Sequence, residues 1–184
     1  MIIILEGVDN TGKSTQIRNI KNYFNDQVFI TMCFGNVKQN KISAYKLYNQ
    51  TAFNTITSVH TTLQQSGCNL ILDRSHLGEL VYSKYRNYDG QYIESIDEDI
   101  AKHQSVLITL IDDVSNLLER DDGLSISVNE ADKIYEINTF KKAHSQSKIK
   151  HKLLININDK NQIEVSNAIT NFIAKLLMEG ELKW

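Results

Sequence analysis

The chain has 184 residues, enough for one domain with a substantial core. Hydrophobic residues make up 41% and charged residues 23% of the chain, which is the balance of an ordinary soluble globular protein. The net charge is −2 and no basic tract is present, which argues against a polyanion-binding surface as the main function.

The first predicted strand leads into a glycine-bracketed loop. Residues 2–5 are apolar throughout, as expected of a strand that is covered on both faces of a parallel sheet. The loop matches the pattern G-x-x-x-x-G-K-[ST] and reads Gly7-Val8-Asp9-Asn10-Thr11-Gly12-Lys13-Ser14-Thr15. An amphipathic stretch over 16–24 then predicts a helix. Strand, loop and helix in this order are the context in which the pattern marks a nucleoside triphosphate site.

Each residue type of the loop has a physical role in holding phosphate. Gly7 and Gly12 let the backbone curl so that successive N–H groups point at one anion, and the helix presents its positive dipole end to the same place. Lys13 reaches the β- and γ-phosphates, and the Ser14 hydroxyl ligates Mg²⁺. The expected nucleotide contacts are Gly7, Asn10, Thr11, Gly12, Lys13, Ser14 and Thr15.

Four more strands alternate with helices along the rest of the chain. The predicted strands are 28–34, 70–72, 106–111 and 153–157. The predicted helices are 41–66 (one helix or two), 77–85, 92–103, 115–120, 129–144 and 161–178, with Asn129 as a helix cap and a turn at 87–90. This alternation predicts one α/β domain, a five-stranded parallel sheet with helices on both faces.

Ligands bind such sheets beyond the carboxyl ends of the strands, where the third strand ends on Asp73-Arg74. A carboxylate at this edge can hold the Mg²⁺ shell beside Ser14, so Asp73 is a candidate metal contact. Arg74 offers a fork of donors that matches phosphate oxygens. The alternative is a surface ion pair that only closes the strand.

Arg120 directly precedes a polar, turn-rich segment, residues 121–129, which we interpret as a mobile flap. An arginine on a flap can neutralise charge on a transferring phosphoryl group, although a helix C-terminus also favours arginine. Asp9 lies where bound phosphates would repel it, so we expect it to point toward a second substrate or to bond its own turn. Aromatic side chains are candidates for a base-stacking platform or for the core: Phe34, Tyr48, Phe53 and Tyr82.

These motifs together resemble the thymidylate kinase family. The stretch 4–15 is similar to the family's opening F-E-G-x-D-x-x-G-K-S-T, and 73–83 is similar to its segment D-R-Y-x-x-S-x-x-A-Y-Q. The resemblance implies a three-layer P-loop kinase fold that uses ATP and Mg²⁺ to phosphorylate a deoxynucleoside monophosphate, most often dTMP or a related pyrimidine nucleotide. It also implies a homodimer, and short divergent versions of the fold occur in viruses.

The resemblance also implies roles for single residues. Asp9 contacts the sugar 3′-hydroxyl of the acceptor, Arg74 holds the acceptor phosphate, and Arg120 closes over the reaction, with Lys13 on the donor phosphates. Two departures from the family pattern concern the acceptor. Ser75 replaces the expected aromatic residue or histidine, and no arginine lies within 41–66 to read thymine. Monophosphate kinase chemistry is therefore better supported than thymine specificity.

Three other functions stay open at this point. One is a kinase that acts on a base or an end within DNA, although the slightly acidic chain counts against it. A deoxynucleoside kinase has a glutamate just after the second strand as base for the 5′-hydroxyl, but 31–45 contains no Asp or Glu, which favours a phosphate acceptor. A non-catalytic nucleotide switch that reads guanine would carry an N-K-x-D segment, and the nearest candidate, Asn158-Asp159-Lys160, has the wrong order.

The cellular setting is inferred from cysteines and apolar runs. Cys33 and Cys68 have no metal-ligand spacing, and we expect buried free thiols in a reducing compartment. Residues 1–5 lack the basic region and length of a signal peptide, and no apolar run approaches the roughly 20 residues that span a bilayer. We expect a cytoplasmic protein, in the host cytoplasm if it is viral, with neither nucleic acid nor membrane as partner.

Overall fold

A five-stranded parallel sheet forms the middle layer of the structure, a computed structural model. Its strands are β1 (Ile2–Gly7), β2 (Val28–Cys33), β3 (Cys68–Asp73), β4 (Ser105–Ile111) and β5 (His151–Asn156), in the spatial order β2-β3-β1-β4-β5. The structure describes residues 1–34, 42–86, 93–121 and 129–184 and the single residues 123, 125 and 127, without the side chains of 42–50 and 86. Within these residues the predicted parallel sheet is confirmed.

Helices cover both faces of the sheet. They are α1 (Lys13–Tyr23), α2 (Ile42–Gln65), α3 (His76–Arg86), α4 (Ile93–Ala101), α5 (Val114–Glu119), α6 (Glu130–Gln146) and α7 (Gln162–Met178). Side chains of α1 and α7 pack on one face of the sheet, and those of α2, α3 and α4 pack on the other. The stretch 41–66 contains one long helix, whereas the predicted turn at 87–90 lies outside the described residues.

The central strand β1 separates two cores because alternate side chains point to opposite faces. Ile3 and Leu5 pack in the core under α1 and α7, and Ile2 and Ile4 pack in the core under α2 and α3. All four side chains are fully buried, and each such burial contributes about 1.5–3 kcal/mol to folding. The expectation that this strand is covered on both faces is confirmed.

The prediction of buried thiols is wrong. Both cysteines are free, but Cys33 is exposed and Cys68 is half-buried. For Cys33 the reason is the strand order, since β2 lies at the edge of the sheet and β3 is its only partner among the described residues. An edge strand exposes side chains that a central strand would bury, as Val28 and Ile30 also show.

Local signals set several helix ends. The Asn129 side chain accepts a hydrogen bond from the Asp132 N–H at 2.8 Å and caps α6, as predicted. Asn161 and Glu164 form a reciprocal capping box at the start of α7.

The last residue, Trp184, packs on the domain, because its ring lies 4.9 Å from the ring of Phe24, centroid to centroid. No helix in the described part of the chain has both the length and the apolar character of a membrane span.

Candidate active site

The loop after β1 and the end of β3 lie side by side at the carboxyl edge of the sheet. β1 and β3 are hydrogen-bonded neighbours, and their register pairs Leu5 with Asp73. The Arg74 N–H continues this pairing by donating to the Leu5 carbonyl at 2.9 Å. Two motifs that are about 60 residues apart in the sequence therefore meet at one edge, as the parallel-sheet rule requires.

The loop backbone takes conformations that favour glycine at both ends. The φ angles are 134° at Gly7 and 78° at Gly12, and Asn10 also has a positive φ of 64°. The chain at Gly7 passes so close to β4 that an added Cβ would lie 2.0 Å from the Leu110 carbonyl oxygen. Within the loop, the Thr11 hydroxyl donates to the Val8 carbonyl at 2.8 Å and fixes the curl.

Replacing Gly7 with alanine is expected to destabilise the protein by about 3 kcal/mol or more, because the Cβ overlaps backbone and φ is strained. Gly12→Ala is the matched control, since its Cβ meets no atom within 4 Å and only the positive φ opposes it. The control should lose about 1 kcal/mol. Urea unfolding of both variants measures the difference, and equal losses would contradict the close approach at Gly7.

Lys13 is buried beneath its own loop. Its Nζ donates to the carbonyl oxygens of Gly7 at 2.9 Å and Val8 at 2.6 Å. Burial, with a further contribution from the positive charge of Arg74, lowers the pKa of Lys13 to about 7. The ammonium group is therefore only partly populated at neutral pH, and a bound polyphosphate would stabilise it.

ATP binding is consequently expected to take up a proton. Without ATP, Lys13 is largely neutral above a pH of about 7, and a bound triphosphate moves its pKa back toward the ordinary lysine value of 10.5. Uptake should approach one proton per ATP near pH 8 and disappear in Lys13→Met. Calorimetric titrations in two buffers of different ionisation enthalpy give this number. A heat of binding that is independent of the buffer would contradict the depressed pKa.

Ser14 and Asp73 form the candidate metal contact. The Ser14 hydroxyl donates to Asp73 Oδ2 at 3.1 Å, so the two oxygens lie together at the mouth of the loop. Hard oxygen donors from a hydroxyl and a carboxylate suit Mg²⁺, which takes few protein ligands and fills its shell with water and phosphate oxygens. This donor set fits the expected ion.

Arg74 and Asp9 pair across the gap between β3 and the loop. The guanidinium of Arg74 contacts Asp9 Oδ1, and both side chains are largely shielded from solvent. Burial alone would raise the pKa of Asp9, but the charges of Arg74 and Lys13 outweigh it and hold the pKa below its ordinary value. Arg74 itself has a positive φ of 63°, a backbone conformation that is uncommon for residues other than glycine.

Glu6 holds the backbone behind Arg74 and was missed by the sequence analysis. Its carboxylate is fully buried, and Oε1 accepts from the N–H groups of Ser75 at 2.8 Å and Gly78 at 3.1 Å. Burial raises the pKa of this carboxyl above its ordinary value. Gly78 leaves room for the carboxylate, since a Cβ there would lie 3.2 Å from Glu6 Oε2. An acidic residue at the end of an apolar strand was the available signal.

His76 begins α3 and is a buried link between elements. Its Nδ1 lies 3.0 Å from the Ser75 hydroxyl and its Nε2 lies 2.8 Å from Asp97 Oδ1. Asp97 also accepts from the Ser147 hydroxyl at 2.7 Å and the Lys148 N–H at 2.5 Å. Burial opposes ionisation of Asp97, but these bonds outweigh it and lower its pKa. The network joins α3, α4 and the end of α6 and fixes the chain just beyond Arg74.

The candidate base-stacking residues lie on the α2 side of the site. Phe34 and Phe53 are buried with their ring centroids 4.8 Å apart, and Phe53 lies 6.5 Å from the His76 ring. Tyr82 is buried on α3, where burial and then the charge of Asp9 raise the pKa of its phenol. The Tyr48 side chain lies outside the described residues. Contact of these aromatic residues with a base stays a prediction.

Arg120 follows α5 and reaches the other side of the loop. Its Nη1 lies 2.7 Å from Oδ2 of the buried Asp112, and its side chain is 46% exposed. It borders a cavity of about 290 Å³ shared with loop residues Asn10 and Thr11 and with the start of α7. The structure thus brings Arg120 to the nucleotide loop, whereas Arg74 and Asp9 lie on the α3 side. Of the predicted flap, residues 122, 124, 126 and 128 lie outside the described part.

Known proteins resemble the chain in structure. No protein-family model and no curated protein matches it. The crystal structure of YorR from Bacillus subtilis, in complex with phosphorylated GDP, matches with 18% identity, 100% coverage of both chains and a TM-score of 0.69. Thymidylate kinase from Candida albicans, described as having broad substrate specificity, matches with 16% identity, 95% coverage of this chain, 91% of that chain and a TM-score of 0.57. The chain therefore has a thymidylate kinase-like P-loop kinase fold.

Proposed function

We propose that the protein transfers the γ-phosphoryl group of ATP to the phosphate of a deoxynucleoside monophosphate, with dTMP or a related pyrimidine nucleotide as the expected acceptor. The observation that carries this proposal is the Arg74–Asp9 pair beside the phosphate loop. One arginine fork and one carboxylate, held together at the edge of a triphosphate site, offer the two groups that an acceptor nucleotide needs. The guanidinium donates hydrogen bonds to the acceptor phosphate, and the carboxylate accepts a hydrogen bond from a sugar hydroxyl.

The donor half of the reaction uses the loop. Its backbone N–H groups and the first turn of α1 surround the β- and γ-phosphates, and Lys13 exchanges its two carbonyl partners for phosphate oxygens. Ser14 and Asp73 would hold Mg²⁺, which neutralises phosphate charge when it is bound. Because the Lys13 ammonium is poorly solvated without ligand, its interaction with the transferring group is strong.

The acceptor half uses the α3 side of the site. Arg74 takes the monophosphate with its guanidinium fork, and Asp9 accepts from the sugar hydroxyl. A phosphate acceptor is already ionised near neutral pH, since its second pKa is about 6, so attack requires no general base. Buried Glu6 stabilises this arrangement because it fixes the backbone that carries Arg74.

The structural neighbours support nucleotide chemistry but leave the base open. YorR was solved with phosphorylated GDP, and the Candida albicans enzyme is a thymidylate kinase with broad specificity. The candidate stacking residues Phe34 and Phe53 are buried apolar rings with no base-specific donor of their own. Pyrimidine monophosphates are the acceptors that we expect, and purine monophosphates are included in the test.

The test is a coupled assay of ADP release with each deoxynucleoside monophosphate in turn and with the matching nucleosides. We expect ADP release to depend on a monophosphate, with one base preferred and nucleosides inactive. Turnover with nucleosides alone would indicate a deoxynucleoside kinase. Tight nucleotide binding without acceptor-dependent turnover would overturn the proposal and indicate a switch.

A further inference from the structure

Lys133 on α6 is a buried cation with no role in the chemistry above. Its side chain is fully buried, and no acceptor among the described residues lies within hydrogen-bonding distance of Nζ. Burying an ammonium group without hydrogen bonds costs several kcal/mol, so a lysine in this position needs a compensating partner. The closest ion-pair partner is Asp121, whose Oδ2 lies 3.7 Å from Nζ.

The neighbourhood of Lys133 connects it to the acceptor side of the site. α6 packs on α3, and Lys133 is close enough to Asp9 to contribute to the low pKa of that carboxyl. Glu136, one turn along α6, is also buried and faces the Ser127 hydroxyl. Within the described part of the chain, the charged and titratable groups around Asp9 are Lys13 from α1, Arg74 after β3, Tyr82 from α3, and Lys133 and Glu136 from α6.

An acceptor phosphate disturbs the balance of charge around Asp9. Arg74 is the direct ion-pair partner of Asp9 in the structure. A phosphate dianion competes for the same guanidinium donors and carries twice the charge of a carboxylate. Asp9 would then lie buried beside Glu136 with less of its counter-charge, which is unfavourable for a carboxylate. Lys13 is occupied by the donor phosphates at the same time, so Lys133 is the remaining cation in this group.

We propose that Lys133 is a positioning residue that becomes the counter-charge of Asp9 when Arg74 engages the acceptor phosphate. Lys133 thereby keeps Asp9 ionised and directed at the sugar hydroxyl. The inference deepens the proposed function and rests on it, because it assigns a task to Lys133 only if an acceptor phosphate binds Arg74. This task would account for a buried ammonium group that has Asp121 at 3.7 Å but no hydrogen-bond acceptor among the described residues.

The test compares Lys133→Met with Lys133→Arg in the acceptor-dependent assay. Met keeps the volume and loses the charge, so the acceptor KM should rise about tenfold or more while the ATP KM stays within about twofold. Arg should restore most of the acceptor affinity. Lys84→Met is the matched control, since this α3 lysine is half-exposed, pairs with Asp132 at 3.3 Å and is expected to leave both KM values unchanged.

Two readouts separate this role from a merely structural one. The ratio of variant to wild-type acceptor KM should be larger at pH 6 than at pH 8, because Asp9 without Lys133 gains a proton more readily as pH falls. The phosphate of the acceptor titrates alike for both proteins, so it cancels in the ratio. In addition, Lys133→Met should add nothing to Asp9→Asn, whereas an effect that does not act through Asp9 would be additive.

Spectroscopy of the wild-type protein gives a measurement that does not require Lys133→Met to fold. In ¹³C-lysine-labelled protein, the Lys133 Cε resonance, assigned from Lys133→Arg, should shift when the acceptor is added and not with ATP alone. The absence of that shift, or additive effects in the double variant, would overturn the inference. Wild-type protein without acceptor-dependent turnover would instead overturn the proposed function.

Discussion

Lys13→Ala is expected to lower kcat by roughly 10³-fold or more while the fold is retained. The alanine variant loses the ammonium group that we propose to contact the transferring phosphate. Folding should not suffer, because the buried ammonium is unfavourable in the ligand-free protein, as its pKa of about 7 indicates. Initial rates at saturating ATP and acceptor give kcat, and urea unfolding gives the free energy of unfolding.

Lys175→Ala is the control for Lys13→Ala. Lys175 lies near the end of α7, its side chain is 67% exposed, and its partner is Glu179 one turn away. Exposed pairs of this kind contribute at most about 1 kcal/mol, so activity and stability should match the wild type. Should Lys13→Ala keep most of its kcat, the loop would not be the site of phosphoryl transfer.

Arg74→Ala is expected to damage use of the acceptor far more than use of ATP. The loss of a charge-assisted fork on a phosphate should lower kcat/KM for the acceptor by roughly 10²-fold or more. The ATP KM should change little, because the loop and Lys13 remain. Asp9 keeps Lys13 and Lys133 as neighbouring cations in this variant, so the fold should persist. Steady-state kinetics with each substrate varied in turn separate the two effects.

Arg18→Ala controls for the loss of an arginine near the site, since Arg18 lies on the exposed side of α1. Its kinetics should equal those of the wild type. Arg74→Lys is informative as well, because a lysine keeps the charge but not the bidentate geometry, and it should recover only part of the acceptor affinity. If Arg74→Ala altered the ATP KM and left the acceptor constants unchanged, Arg74 would belong to the donor side.

The features that sequence predicted well have local causes. The signals are the apolar run of β1, the glycines of the loop and the asparagine cap of α6, and each is visible within a few residues of sequence. One long-range feature was also predictable, the meeting of the loop after β1 with Asp73-Arg74 at one edge of the sheet. It follows from a rule about where parallel strands end rather than from any local pattern.

The features that sequence did not predict depend on which elements become neighbours. The exposure of Cys33 follows from the position of β2 at the sheet edge, and strand order is not written in the periodicity of a single strand. The N–H groups that donate to the Glu6 carboxylate belong to Ser75 and Gly78, which lie 69 and 72 residues further along the chain, at the start of α3. Lys133 and Glu136 look like ordinary charges on a polar helix, and only the packing of α6 on α3 reveals that they are buried.

The most direct test of the account follows the γ-phosphoryl group itself. The protein is mixed with ATP, Mg²⁺ and the best monophosphate acceptor, and ³¹P NMR records which product receives the phosphorus. The account predicts that resonances of a deoxynucleoside diphosphate and ADP grow together in equal amounts. Growth of inorganic phosphate alone, or no consumption of ATP at all, would contradict it.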